Sequence, residues 1–268
     1  MSTEGRNPRS IGLDRMSAKE IVHLMNEEEQ AVIRAMQAAE EPLAECIERV
    51  AAAFRGGFRT IYVGAGTSGR IATMDAAEMP PTFGIEADRF VALHAGGNQA
   101  TTTAVEDAED SDHAAISDLN QLDPQRGDVV IGLAASGRTP YVLAAIRHAR
   151  QKGMWTCGIA NNKSAPLLVE ADLGILLETG PEVLTGSTRL KAGTAQKLAL
   201  NRISTGAMVL SGKVIENLMV DVKAKNVKLK ERCARIVRDL TTATEDEARA
   251  ALESHDWNVR AVLSELRS

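Results

Sequence analysis

The chain has 268 residues and a formal charge of −5, from 36 acidic side chains against 31 Lys and Arg. That length can bury a large core, as one α/β domain with helical additions or as two small domains. The acidic balance and scattered cations argue against nucleic-acid and membrane-surface partners, which would select a basic stripe.

In chain order, Ser17-Ala18-Lys19-Glu20 forms a capping box at the start of a helix, with Ile21, Leu24 and Met25 as its apolar stripe. Helical patterning resumes over 28–39 and 42–55 and stops at Gly56-Gly57. Strand and helix signals then alternate: strand 59–63, helix from about 69, strand 90–94, helices within 98–121, strand 128–133, helix 139–152, strands 155–160 and 172–177. Alternation at this spacing predicts a parallel sheet with helices on both faces. Beyond Thr179 the pattern turns helical. Gly193 and Gly206 fall inside the 188–212 helix pattern, where an internal glycine is expected to permit close packing. The tail from about 241 reads as a small helical unit. The expected organisation is an N-terminal helical segment (1–55), a central domain (56–215) and a C-terminal helical region (216–268).

Two of the apolar runs end in loops built for an anion. Thr60-Ile61-Tyr62-Val63 leads into Gly64-Ala65-Gly66-Thr67-Ser68-Gly69-Arg70, and Val129 to Leu133 leads into Ala134-Ala135-Ser136-Gly137-Arg138-Thr139. A strand, a small-residue loop and a helix aim backbone N–H groups and hydroxyls at one spot, where the helix N-terminus favours negative charge. Two such units point to a phosphorylated small molecule. The first loop also satisfies G-x-G-x-x-G, yet the second strand ends in His94-Ala95-Gly96-Gly97 and not in an acid able to hold a ribose hydroxyl. This argues against a dinucleotide. A third set of donors, in the 180–194 segment, comprises Ser187, Thr188, Arg189 and Lys191, with Glu182 beside them.

Two acidic segments stand out. Glu78 precedes Met79-Pro80-Pro81, and Pro80 is expected to end the helix there, leaving Glu78 in a last turn that disfavours its charge. A carboxylate so placed suits a general acid, and facing solvent is an equally good reading. Glu106-Asp107-Ala108-Glu109-Asp110 reads as a solvated acidic face, and spacing alone selects no member of it. The five histidines form no HxH or HExxH pair, so no metal site is expected. His94 is the one histidine placed at a strand end, where a satisfied loop residue is the usual outcome. Cys46, Cys157 and Cys233 are far apart and fit a reducing compartment. With no apolar leader and no membrane-length apolar run, the expected location is cytoplasmic.

The segments GAGTSGR (64–70), PPTFG (80–84), VEDAED (105–110), AASGRTPY (134–141), GPEVLTGSTRLKAGTAQK (180–197) and NLMVDVKA (217–224) together resemble the N-acetylmuramic acid 6-phosphate etherases, within the sugar isomerase (SIS) domain superfamily. The resemblance runs over nearly the whole chain. It implies a three-layer SIS-type parallel sheet flanked by helices, with N-terminal helices and a small C-terminal helical unit similar to a ubiquitin-associated domain. It implies cleavage of a lactyl ether by two acid/base glutamates, Glu78 and Glu109, and supplies the choice of Glu109. The expected substrate-binding residues are Gly66, Thr67, Ser68, Gly69, Ser136, Gly137, Arg138, Thr139, Glu182, Ser187, Thr188 and Lys191. No cofactor or metal is implied, and a homodimer is. The chain departs from the family pattern at Ala77 and Met79 around the first glutamate, at Asn98 and over 161–164. Competing readings are a sugar-phosphate isomerase on the same fold and a non-catalytic sugar-phosphate sensor.

Overall fold

The computed structural model describes residues 3–103, 105–222, 224 and 226–266. Two compact units form, one from residues 1–76 and 88–207, the other from 77–87 and 208–268.

The first unit opens with α1 (Ala18–Ala38), whose capping box forms as expected between Ser17 and Glu20. The stretches read separately before and after residue 28 are one continuous helix: Asn26 and Glu27 are exposed, while Glu28 is buried on the same stripe as Leu24 and Val32. After a break at Ala39 comes α2 (Glu40–Arg55). The sheet consists of β1 (Thr60–Gly64), β2 (Phe90–His94), β3 (Val129–Leu133), β4 (Trp155–Ala160) and β5 (Leu173–Leu176). All five strands are parallel, in the order β2-β1-β3-β4-β5. Every residue of β1 and β3 is buried, as befits strands covered on both faces. Between the strands run α3 (Gly66–Phe83), the short α4 (Gln99–Thr102), α5 (Asp112–Gln121), α6 (Pro140–Gln151) and α7 (Pro166–Glu170). Tyr141, Val142, Ala145 and Ile146 of α6 pack on Ile61, Val63 and Val130 of the sheet and on Ala115 and Leu119 of α5.

The helix expected over 188–212 is α8 (Lys191–Leu210). Its glycines do what the pattern suggests. A Cβ on Gly206 would sit 2.9 Å from Ile47 of α2, and one on Gly193 3.3 Å from Thr67 of α3, so both contacts depend on a missing side chain. Asp75 is buried where α3 meets β1 and α8, accepting hydrogen bonds from the Tyr62 hydroxyl (3.0 Å) and the Ser204 hydroxyl (3.2 Å). Burial raises its pKa, and the two hydroxyls and the Lys197 charge offset only part of that. A carboxyl whose folded pKa is raised costs stability as pH climbs from the ordinary Asp value near ~4 through the folded value. Asp75→Asn should therefore gain stability relative to the parent chain between pH 4 and pH 7, read as the difference between the two Tm–pH curves.

One expectation is corrected in α3. Pro80 does not end the helix, which continues through Pro81 to Phe83. The residue before a proline is steered away from helical angles but not barred from them, and the cost here is the amide protons lost to the carbonyls four residues back. Glu78 thus lies more than a turn inside the helix end, where the macrodipole argument fades. The chain leaves α3 at Gly84, with φ +65°, and a Cβ there would stand 2.0 Å from the Asp221 carbonyl oxygen. Gly84→Ala should cost roughly 2–5 kcal/mol, combining the left-handed backbone with an overpacked contact, and urea unfolding would measure it.

In the second unit, β6 (Val214–Ile215) and β7 (Leu218–Met219) form an antiparallel hairpin that the helical reading of this stretch missed. Its turn places Glu216 at φ +52° without a glycine, which left no signal in the sequence. Three helices follow: α9 (Val227–Leu240), α10 (Glu245–Ser254) and α11 (Val259–Leu266). Cys233, Ile236, Val237, Ala248, Leu252, Val262 and Leu263 form their common core. The small helical unit expected from about 241 therefore starts earlier, at α9. Arg267 and Ser268 lie outside the described residues.

Candidate active site

In an open parallel sheet, ligands bind beyond the carboxyl ends of the strands, at the point where strand order reverses. With the order β2-β1-β3-β4-β5, that point lies between β1 and β3. The two loops singled out in the sequence, 64–70 after β1 and 134–139 after β3, flank it. The Gly69 amide donates to the Ala65 carbonyl (3.2 Å), and the amides of residues 66–68, in the first turn of α3, have no carbonyl of their own helix to bond. Gly66 and Gly137 have φ of +53° and +65°. At Gly137 a Cβ would also sit 2.2 Å from Ala165, so the turn admits no side chain. In the second loop the Ser136 hydroxyl accepts from the Arg138 amide (3.2 Å), Arg138 is exposed, and Thr139 stands at the start of α6.

A buried chain of hydrogen bonds ties the loop ends together. The Ser68 hydroxyl donates to the Gln196 side chain (2.7 Å), whose NH₂ donates to the Asn161 side chain (3.1 Å), which in turn donates to the Leu177 carbonyl (2.8 Å). The Asn161 amide and the Asn162 side chain both donate to the Ala135 carbonyl, at 3.0 and 2.9 Å. Ser68 is thus committed to holding the loops, while Thr67 remains partly exposed at the mouth. Gln196 and Asn161 were not among the expected site residues; Gln196 lies within the GTAQK stretch and carried no independent signal.

Glu109 sits in a one-turn 3₁₀ segment (Glu106–Asp110) and lines a cavity of about 130 Å³ with Gly66, Arg70, His94, Ala100 and Val105. At about 30 Å³ per liquid water, that is room for roughly four waters, or one polar face of a sugar. Arg70 is held by donating to the carbonyls of Thr101 (3.2 Å) and Thr103 (3.3 Å). His94 is not the satisfied loop histidine its position suggested. It is 5% exposed, and neither ring nitrogen has a hydrogen-bond partner of normal geometry among the described residues. Burial first, then the Arg70 guanidinium, lowers its pKa against a weaker opposing effect of the Gly66 backbone, so the ring is neutral at neutral pH. Gly69 makes room for the ring: a Cβ there would be 2.2 Å from His94 Cδ2.

The third group of donors divides. Both oxygens of Glu182 accept from the first turn of α8, from the Lys191 amide (3.1 Å) and the Ala192 amide (2.9 Å). The side-chain cap on this helix is thus Glu182, and not Ser187 or Thr188 as helix capping would have suggested. Lys191 turns inward and its ammonium meets Glu28 at 2.5 Å. Ser187 and Thr188 are half-buried, and Thr188 accepts the Gly193 amide through its carbonyl (2.9 Å). Glu78 is exposed on α3, in the segment that belongs to the second unit, whereas Glu109 belongs to the first.

Residues 42–150 match the model of the glucokinase regulatory protein N-terminal SIS domain, and residues 100–203 that of the SIS domain. Among curated proteins, an N-acetylmuramic acid 6-phosphate etherase of Geobacillus sp. (strain WCH70) is 49% identical over 263 residues, covering 98% of this chain and 89% of the relative. One from Salmonella agona (strain SL483) is 49% identical over 261 residues, covering 97% and 88%. In solved structures, a phosphoheptose isomerase from Francisella tularensis shares the fold with TM-score 0.54 at 17% identity, covering 74% of this chain and all of that one (100%). A phosphoheptose isomerase from Neisseria gonorrhoeae gives TM-score 0.51 at 23% identity, covering 73% and 100%. At those identities the likeness is one of fold. The sheet, with its N-terminal and C-terminal helices, is a SIS fold.

Proposed function

The chain belongs to the N-acetylmuramic acid 6-phosphate etherase family, and on that premise we propose that it is a carbon–oxygen lyase. The reaction cleaves the D-lactyl ether of N-acetylmuramic acid 6-phosphate, giving N-acetylglucosamine 6-phosphate and D-lactate, a step in recycling cell-wall amino sugars. The observation that carries this reading is 49% identity over 98% of the chain.

The chemistry needs two proton-handling groups. In the open-chain sugar the aldehyde acidifies the C2 proton, and Glu109 removes it. The C3–oxygen bond then breaks as the C2=C3 double bond forms, with Glu78 protonating the departing lactyl oxygen, since an alkoxide leaves poorly. Water adds at C3 of the unsaturated aldehyde and a proton returns to C2, with Glu109 handling both protons, and exchange with solvent then returns Glu109 to its carboxylate and Glu78 to its acid form. The loops after β1 and β3 supply the anion site: Thr67, Ser136 and Thr139 hydroxyls, the α3 amides near Gly66 and the Arg138 guanidinium, whose planar fork suits a phosphate or carboxylate. A homodimer is part of the same reading, and sedimentation of the purified chain tests it.

The function is tested by D-lactate release from N-acetylmuramic acid 6-phosphate, followed with a coupled lactate dehydrogenase. Release of lactate with equimolar N-acetylglucosamine 6-phosphate supports the lyase. Isomerised sugar phosphate without lactate would replace it with an isomerase, and binding without turnover with a sensor.

A further inference from the structure

We propose that His94 is a substrate-contacting residue, its neutral imidazole hydrogen-bonding a polar group of the sugar in the cavity it shares with Glu109. This rests on the etherase reading and adds to it a residue that neither the two-carboxyl mechanism nor the loop motifs use.

A buried hydrogen-bonding atom left without a partner is destabilising, and such groups are uncommon in folded proteins. On the His94 ring neither Nδ1 nor Nε2 has a partner of normal hydrogen-bond geometry among the described residues, and the Gly66 backbone supplies only a weak interaction. The ring occupies the end of β2, lines the same cavity as Glu109 and Arg70, and packs on the Gly69 backbone, where no side chain is tolerated. Nothing in the core explains an imidazole there. An aliphatic side chain would fill the volume without unsatisfied nitrogens.

A ligand would explain it. A neutral imidazole presents one donor and one acceptor on opposite sides of a flat ring. That complements a hydroxyl, or an acetamido group with its N–H and C=O, but not a phosphate, which would ask only for donors. Burial first, and then the neighbouring Arg70, keeps the ring neutral, and the Arg70 guanidinium is itself anchored to the Thr101 and Thr103 carbonyls. The cavity thus divides its work: the carboxylate of Glu109 for the proton, and the ring of His94 for holding the sugar at an uncharged group. An uncharged contact of this kind exists in the bound ground state as well as the transition state, so it should act chiefly on KM.

The experiment compares the full chain with His94→Leu and His94→Gln, measuring lactate release, Tm, and ¹⁵N-histidine spectra with N-acetylglucosamine 6-phosphate added. The expected result is a KM about tenfold or more higher in His94→Leu, with kcat within a few fold and Tm no lower than the parent's. His94→Gln, which keeps a donor and an acceptor, recovers part of the loss. The ring nitrogens of His94 shift when the sugar phosphate binds. A KM within twofold of the parent, or a fall in Tm with unchanged KM, overturns the proposal in favour of packing. If the parent releases no lactate, the etherase reading fails, yet the spectra still decide whether His94 meets a bound sugar phosphate.

Discussion

Glu109→Gln is expected to lower D-lactate release by roughly 10²–10⁴-fold, the usual worth of a positioned general acid or base. Glutamine keeps the shape and much of the hydrogen bonding and removes only the proton transfer. Glu78→Gln should fall in the same range, and the two variants should differ in what survives. If Glu109 takes the C2 proton, its variant loses both lactate release and exchange of the C2 hydrogen with deuterated solvent. If Glu78 protonates the leaving oxygen, its variant still exchanges at C2 while lactate release fails. Both side chains are exposed, so neither substitution should shift stability by more than about 0.5 kcal/mol, and unchanged Tm values would confirm that the loss is chemical. Parent-like rates in either variant would remove that glutamate from the mechanism.

The sequence made the sheet legible because its strands are of the kind that reads best. β1 and β3 are unbroken apolar runs bounded by Gly-rich loops, and their ends fell within a residue of the expected positions. The small-residue loops after β1 and β3 were legible for the same reason: glycine is forced there by backbone geometry, as Gly137 shows with φ +65° and no space for a Cβ. What local reasoning missed depends on contacts distant in the chain. Choosing Glu109 from four acids in five residues required the family resemblance, since their spacing selects none of them; Glu109 lines the cavity with Gly66 and His94. The hairpin at 214–219 lacked a turn glycine, and the proline pair in α3 signalled a helix end that tertiary structure overrode. Lys191 was read as a donor for a ligand, with Glu182 beside it, because a helix start rich in polar groups looks the same whether its partners are internal or bound. Here Glu28, 163 residues away in sequence, is the partner of Lys191.

That pairing carries the largest stability effect to be expected. Lys191 is 3% exposed and Glu28 9%, and Glu28 also accepts from the Asn7 side chain (2.7 Å) and faces Arg9 at 3.2 Å. Burial alone would raise the Glu28 pKa; the bonds from Lys191 and Asn7, with the charges of Lys191 and Arg9, outweigh it and hold the carboxyl below its usual range. A depressed carboxylate contributes stability that is present above the unfolded pKa and is lost as pH falls through the folded one, so the contribution is intact at neutral pH and disappears in acid. Lys191→Met removes the buried partner, leaves Glu28 to the Asn7 side chain and the half-exposed Arg9, and should cost up to about 3–5 kcal/mol. In a chain of this size that is a fall in Tm of roughly 6–20 °C. Replacing both partners, as Glu28→Leu with Lys191→Met, should recover most of the loss, because a packed apolar pair removes the desolvation penalty along with the attraction. The same comparison separates the two roles read for Lys191. If the lysine only joins α8 to α1, the double variant regains stability and retains the parent KM. A double variant that is stable but binds the sugar phosphate poorly would instead return Lys191 to the substrate site.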